Sequence, residues 1–274
     1  MTQQQENEQG PARALFAEAT AREFETATDR LEWLYGTRID QRKDPSALEW
    51  LNRLIKGGAR GLGHIDNAMH VAITDGSLSD GEFAQFLAAY YWGSNYGFNK
   101  TVLPGTLKST GNDWYREYIK NIIREENTPS SHWGIFKRYM QTLGFELGEP
   151  PESAQDFVRK NTAGYQAELG HAIGYALAVE VESDFQLSLI ALALMKRFPR
   201  ATAETIFFDI HLDSSGEEEH ARMTCGAVEQ LLDAGQIHRE DVEAGFVQAI
   251  VDTRDFMLAM HEEVRDAQPI AQIW

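Results

Sequence analysis

Residues 162–198 read as one long helix so apolar that any carboxylate on it must be paired, bound to a cation or turned to water. Its centre is Gly174-Tyr175-Ala176-Leu177-Ala178-Val179-Glu180-Val181-Glu182-Ser183-Asp184-Phe185. At 3.6 residues per turn, positions two apart diverge by about 200°, so Glu180 and Glu182 cannot serve one centre. Glu180 is the first choice for an inward ligand, Glu182 the alternative, and at least one of them is expected to face solvent.

Helical patterning also dominates elsewhere. Leu15, Phe16, Phe24, Leu31, Trp33 and Leu34 suggest a first helix, and Leu48, Trp50, Leu51 and Leu54 a second, stopped by Gly57-Gly58. Ser79-Asp80-Gly81-Glu82 has the form of a capping box opening an aromatic helix that Pro104-Gly105 should end. Further helices are expected over 113–126, 131–143, 152–160, 201–212, 217–234 and 241–264, with a breaker at Glu146-Leu147-Gly148-Glu149-Pro150-Pro151. No strand-like alternation and no internal repeat is visible. The expectation is an all-α, single-domain helical bundle over 12–274, preceded by a disordered polar tail over 1–11.

Charge narrows the function. A net charge of −17 disfavours nucleic acid and anionic membrane surfaces as partners. No apolar run approaches the roughly 18 residues of a membrane span, and the polar start lacks a secretory h-region, so a cytoplasmic protein is expected. The single Cys225 excludes an intramolecular disulfide framework and a zinc–cysteine cluster.

Two clusters combine imidazole with carboxylate, a donor mixture suited to iron or manganese. In Glu125-Glu126-Asn127-Thr128-Pro129-Ser130-Ser131-His132, Glu125 and His132 are seven apart, two turns on one face of a continuous helix, although Pro129 can distort it. The alternative is a surface Glu pair closing one helix and a Ser130-Ser131 cap opening the next. In His211-Leu212-Asp213-Ser214-Ser215-Gly216-Glu217-Glu218-Glu219-His220 the histidines are nine apart, on opposite faces of an unbroken helix. The turn-like 213–216 stretch suggests a break that brings them together. Glu217, one turn before His220, is the favoured carboxylate and Asp213 the alternative, with Glu218 and Glu219 solvated. An acidic helix N-terminus favoured by the macrodipole is the competing account. His64 and His70 lie on an expected early helix with no carboxylate at useful spacing. Tyr90, Tyr91 and Phe98 read first as core; with Phe207 they are also candidates for a substrate pocket.

Glu-x6-His, then Gly-Tyr-Ala-Leu-Ala-Val-Glu, then a His-rich acidic segment ending Glu-Glu-His-Ala, resembles the heme-oxygenase-like di-iron oxidases and oxygenases over roughly residues 60–235. The resemblance implies a seven-helix bundle and two Fe(II) ions held by Glu125, His132, Glu180, His211, a carboxylate near Glu217, and His220. In the family's His-x3-Asp-x2-His pattern the carboxylate would fall on Ser215 counted from His211, or on Glu217 counted from His220. The implied activity is non-heme di-iron oxygenation with O2 as co-substrate. The leading reading is N-oxygenation of an amine or amino-acid-derived metabolite in natural-product biosynthesis. Oxidative C–C cleavage of an amino acid or fatty acid, or a metal-free thiaminase-like hydrolase on the same fold, are alternatives. Arg124, Lys100 and Lys137 are candidates to hold a substrate carboxylate. An external electron donor and a homodimer belong to the same family expectation.

Overall fold

The computed structural model describes residues 11–41, 43–212 and 217–266, apart from the side chains of residues 11 and 217–219. Among them every regular element is helical. In chain order these are α1 (Pro11–Thr20), α2 (Ala27–Tyr35), α3 (Glu49–Gly57), α4 (Ala68–Asp75), α5 (Asp80–Tyr90), α6 (Leu103–Ser109) and α7 (Asp113–Glu125). There follow α8 (His132–Thr142), α9 (Glu152–Tyr165), α10 (Leu169–Arg197), α11 (Pro199–Glu204), α12 (Ile206–Leu212), α13 (Glu217–Asp233) and α14 (Arg239–Asp266). A π-wound turn, Gly36–Asp40, extends α2, and a longer one, Tyr91–Val102, joins α5 to α6. The chain is an all-α bundle.

Several expected boundaries move, each for a local reason. The first expected helix is two, because Thr26 starts a new one: its side chain accepts from Asp29 N while the Asp29 carboxylate accepts from Thr26 N. Ser79 and Glu82 form the expected capping box. Pro104 does not end the aromatic run; it lies in the first turn of α6, where a missing N–H is tolerated. The long helix begins at Leu169 rather than 162, and 201–212 divides at Thr205 between α11 and α12. Pro11 belongs to α1; residues 1–10 and 267–274 of the expected tail and domain lie outside the described residues.

Helix α10 is buried along most of its length from Gly170 to Met195, with α14, α13, α9, α1, α12 and α4 packed around it. A helix apolar nearly all round can only sit in a core. Its closest neighbour is α14, and glycine sets that distance. A Cβ on Gly174 would stand 2.1 Å from the Val242 carbonyl oxygen, and one on Gly245 2.0 Å from the His171 carbonyl oxygen. The two longest helices therefore meet backbone to backbone. Tyr175 adds a buried hydrogen bond across the crossing, its hydroxyl donating to Asp252 Oδ2 at 3.1 Å. Around them the buried apolar side chains from Ala12 to Val264 form one connected core.

Substituting Gly174→Ala forces α10 and α14 apart and should cost at least about 1–3 kcal/mol, the usual penalty of overpacking. Gly57→Ala, where a Cβ would meet nothing within 4 Å, should be neutral or stabilising by about 0.5–1 kcal/mol. Chemical denaturation of the two variants checks the contrast, and equal losses would refute it.

Candidate metal centre

Three carboxylates on α10, at spacings of two residues, point in different directions, and each meets a base from a different part of the chain. Glu180 Oε2 lies 3.3 Å from His220 Nδ1 on α13. Glu182 Oε2 lies 2.6 Å from His64 Nε2, in the loop before α4. Asp184 Oδ1 accepts from Arg38 Nε at 2.7 Å, in the π-wound turn after α2. All three acids are buried, so the expectation that Glu180 or Glu182 faces solvent is corrected. A helix enclosed on every side offers no solvent face, and a buried carboxylate must find a partner.

A first donor group forms where α7, α8 and α12 converge. One ligand atom each from Glu126, His132 and His211 lies within 4.8 Å of the others. The expected partner of His132 was Glu125; the structure puts Glu126 there instead. Helix α7 ends at Glu125 and α8 starts at His132, so a two-turn spacing does not apply across the intervening turn. Asn99, on the π-wound segment, donates to Glu126 Oε2 at 3.0 Å. Burial alone would raise the Glu126 carboxyl. The hydrogen bond and charge of His132, with help from His211 and Asn99, outweigh it and bring the carboxyl down to about 2. His211 Nδ1 donates to the Phe207 carbonyl at 2.7 Å. That bond fixes the tautomer and leaves the Nε2 lone pair for an incoming cation, the usual support for a metal-binding histidine.

A second donor group lies beside it. Glu125 Oε2 is 2.9 Å from His220 Nε2, and Glu180 approaches the other ring nitrogen of the same histidine. Tyr118 ties α7 to α13 at this point: its hydroxyl is 2.8 Å from Thr224 Oγ1, which donates to the His220 carbonyl. Burial and then the charge of Glu180 push the Tyr118 phenol well above its ordinary range, so it stays protonated. Glu180 borders two cavities, sharing the larger with Glu126 and His211 and the smaller with Glu125 and His220. The nitrogen and oxygen donors suit iron or manganese. Asp213 lies outside the described residues, as does the side chain of Glu217.

The larger cavity encloses about 750 Å³, open mouth included. Tyr90, Phe98 and Phe207 line it; Tyr91 does not, and packs instead against Trp92, Tyr96 and Phe136. The π-wound segment carries Asn95 and Phe98 into the wall, a local winding often found at functional sites. Among the described residues that line the cavity, none is Lys or Arg. Arg124, Lys100 and Lys137 are exposed, and Lys100 lies over the Trp133 ring. Cys225 is buried, and burial together with the charge of Glu229 pushes its thiol up to about 12, which disfavours a nucleophilic thiolate.

Sequence reasoning passed over four contributors: Glu126, His64, Asp184 and Arg38. Glu126 was visible only as a neighbour of Glu125. His64 has a carboxylate partner far away in sequence, on α10, which no local spacing reveals. Arg38 also donates to the Leu212 carbonyl at 3.2 Å, holding the end of α12 just beyond His211. Among the described residues no helix is long and apolar enough to cross a membrane.

No family model and no curated protein matches this chain. A crystal structure of a CADD-like protein of unknown function from Nostoc punctiforme superposes with a TM-score of 0.56 at 18% sequence identity. The match covers 79% of this chain and 96% of that one. The two share a fold.

Behind Glu182 and His64, the ring of His70 is buried edge-on to His64, with Nδ1 donating to the Ile65 carbonyl at 3.1 Å. Burial, then the charge of His64, lowers its pKa from 6.5 to about 3. The folded state therefore favours neutral His70, and its contribution is complete above about pH 6.5 and lost as pH falls towards 3. At about 1.4 kcal/mol per unit, His70 should account for about 2 kcal/mol of lost stability between pH 6.5 and 5. Denaturation of the metal-free protein should show the gap between wild type and His70→Gln narrowing by that amount; a constant gap refutes it.

Proposed function

We propose that this chain is a non-heme di-iron oxygenase that uses O2 to oxygenate the nitrogen of a small amine. The observation that supports this most directly is that Glu180 borders both cavities, one shared with Glu126 and His211 and the other with Glu125 and His220. Glu126, His132 and His211 would hold one ion, Glu125 and His220 the other, and Glu180 would serve both. Such a division of carboxylates and histidines among separate helices is how helical bundles build di-metal sites. The fold shared with the CADD-like protein is compatible with this reading.

Two ferrous ions bound there would supply electrons for the reduction of dioxygen. The chain's own residues do the rest. Asn99 orients Glu126, the Phe207 carbonyl holds His211 in one tautomer, and Tyr118 with Thr224 keeps α13 against α7. Phe98, Phe157 and Phe207 give the cavity apolar wall that keeps water from the reacting centre. Among the described residues the wall holds no Lys or Arg to anchor a fatty acid's carboxylate away from the metal ions. A thiaminase-like reaction would need an ionised thiol, which Cys225 does not provide. N-oxygenation is therefore preferred over both alternatives.

Anaerobic titration of the metal-free protein with Fe(II) should end near two ions per chain. Glu180→Ala should weaken uptake at both positions at least tenfold, and His220→Ala should abolish one equivalent while sparing the other. Absence of uptake by the wild type would overturn the assignment, as would unaltered binding in Glu180→Ala.

A further inference from the structure

Glu182 is not absorbed by either donor group, yet it lines the larger cavity and is only 2% exposed. Its Oε2 approaches His64 closely, but without the alignment a hydrogen bond requires, and Oε1 has no hydrogen-bond partner. One turn along α10, the buried Gln186 lines the same cavity, and its Nε2 also lacks a partner. Glu182 has His64 beside one oxygen, but polar atoms left without a hydrogen bond this deep are costly unless something arrives to meet them. Around them the described wall contains aromatic rings, neutral amides and the donor residues Glu126, Glu180 and His211, with no Lys or Arg.

We infer that Glu182 and Gln186 form the substrate-anchoring subsite of this cavity, taking a small organic molecule that carries a cationic nitrogen and a neutral oxygen. Glu182 receives the ammonium group, and the Gln186 amide donates to a hydroxyl or carbonyl oxygen. Phe98 and Phe157 line the same cavity and offer aromatic surface to a cation there. Glu180 points to His220 and Glu182 to His64, so the metal-facing and ligand-facing acids of α10 are separate groups. The anchored ammonium is thus distinct from the nitrogen that is oxygenated, which must be unprotonated to offer its lone pair. The inference rests on the proposed function for the chemistry that follows binding, while the anchoring itself needs no metal.

The test uses three probes of one skeleton at near-neutral pH: 4-aminobutan-1-ol, 1,4-butanediol and 4-hydroxybutyrate. Calorimetry on metal-free protein should show the ammonium compound binding at least tenfold more tightly than the diol, and the carboxylate most weakly. Glu182→Gln should erase the preference for the cation while leaving Fe(II) stoichiometry as in the wild type. Gln186→Leu, which keeps the acid and is less disruptive of charge, should bind butylammonium and 4-aminobutan-1-ol equally. Preferred binding of the carboxylate, absence of binding by the ammonium compound, or undiminished cation preference in Glu182→Gln would overturn the inference. A lower Fe(II) stoichiometry in Glu182→Gln would overturn it too, by making Glu182 a metal ligand. Failure of Fe(II) uptake with cation preference intact would sink the di-iron reading alone.

Discussion

Burying three carboxylates on one helix is the constraint that organises this molecule. Removing one partner of a buried ion pair typically costs about 3–5 kcal/mol, because the remaining charge is left without compensation. Glu180, Glu182 and Asp184 spread that demand around the circumference of α10, and three distant segments answer it. His220 comes from α13, His64 from the loop before α4, and Arg38 from the π-wound turn after α2. Each partner also carries out a second task. Arg38 holds the last carbonyl of α12, His64 packs edge-on against His70, and His220 meets Glu125. The electrostatics of one helix therefore decide where its neighbours dock.

The glycines of α10 and α14 make this enclosure geometrically attainable. With Gly174 and Gly245 at the crossing, α14 lies against backbone rather than side chain. Further along, Phe256 on α14 stacks on Phe157 with ring centroids 4.2 Å apart and closes over Gly93, where a Cβ would be 2.6 Å from its ring. Thr253, one turn earlier on α14, lines the larger cavity. The seating of α14 thus fixes one wall of the cavity from a helix that carries none of the clustered Glu and His donors. Phe157 connects that wall to α9, so packing and cavity shape are one problem.

How much of this was legible depended on whether the signal was local. Helical periodicity, the Ser79–Glu82 capping box and the acids of the apolar helix are local, and they indicated an all-α bundle. The boundary at Pro104 was misread because proline ends a helix interior but not a first turn. The Glu125–His132 spacing failed for a related reason: periodicity extends only as far as the helix, and α7 stops at Glu125. His64 is harder still. Its meaning comes from Glu182, more than a hundred positions away, and a contact at that separation leaves no mark on local spacing. The same holds for Arg38 with Asp184.

The two histidines of the acidic segment show how tertiary structure resolves what spacing leaves open. On one unbroken helix, nine residues apart, they would face opposite ways. In the fold His211 belongs to α12 and His220 to α13, and each completes a different donor group around Glu180. Their positions are set independently. Arg38 holds the end of α12 from one side, and Tyr118 with Thr224 holds the start of α13 from the other. The two imidazoles thus sit on separate helices, each positioned by contacts from elsewhere in the chain.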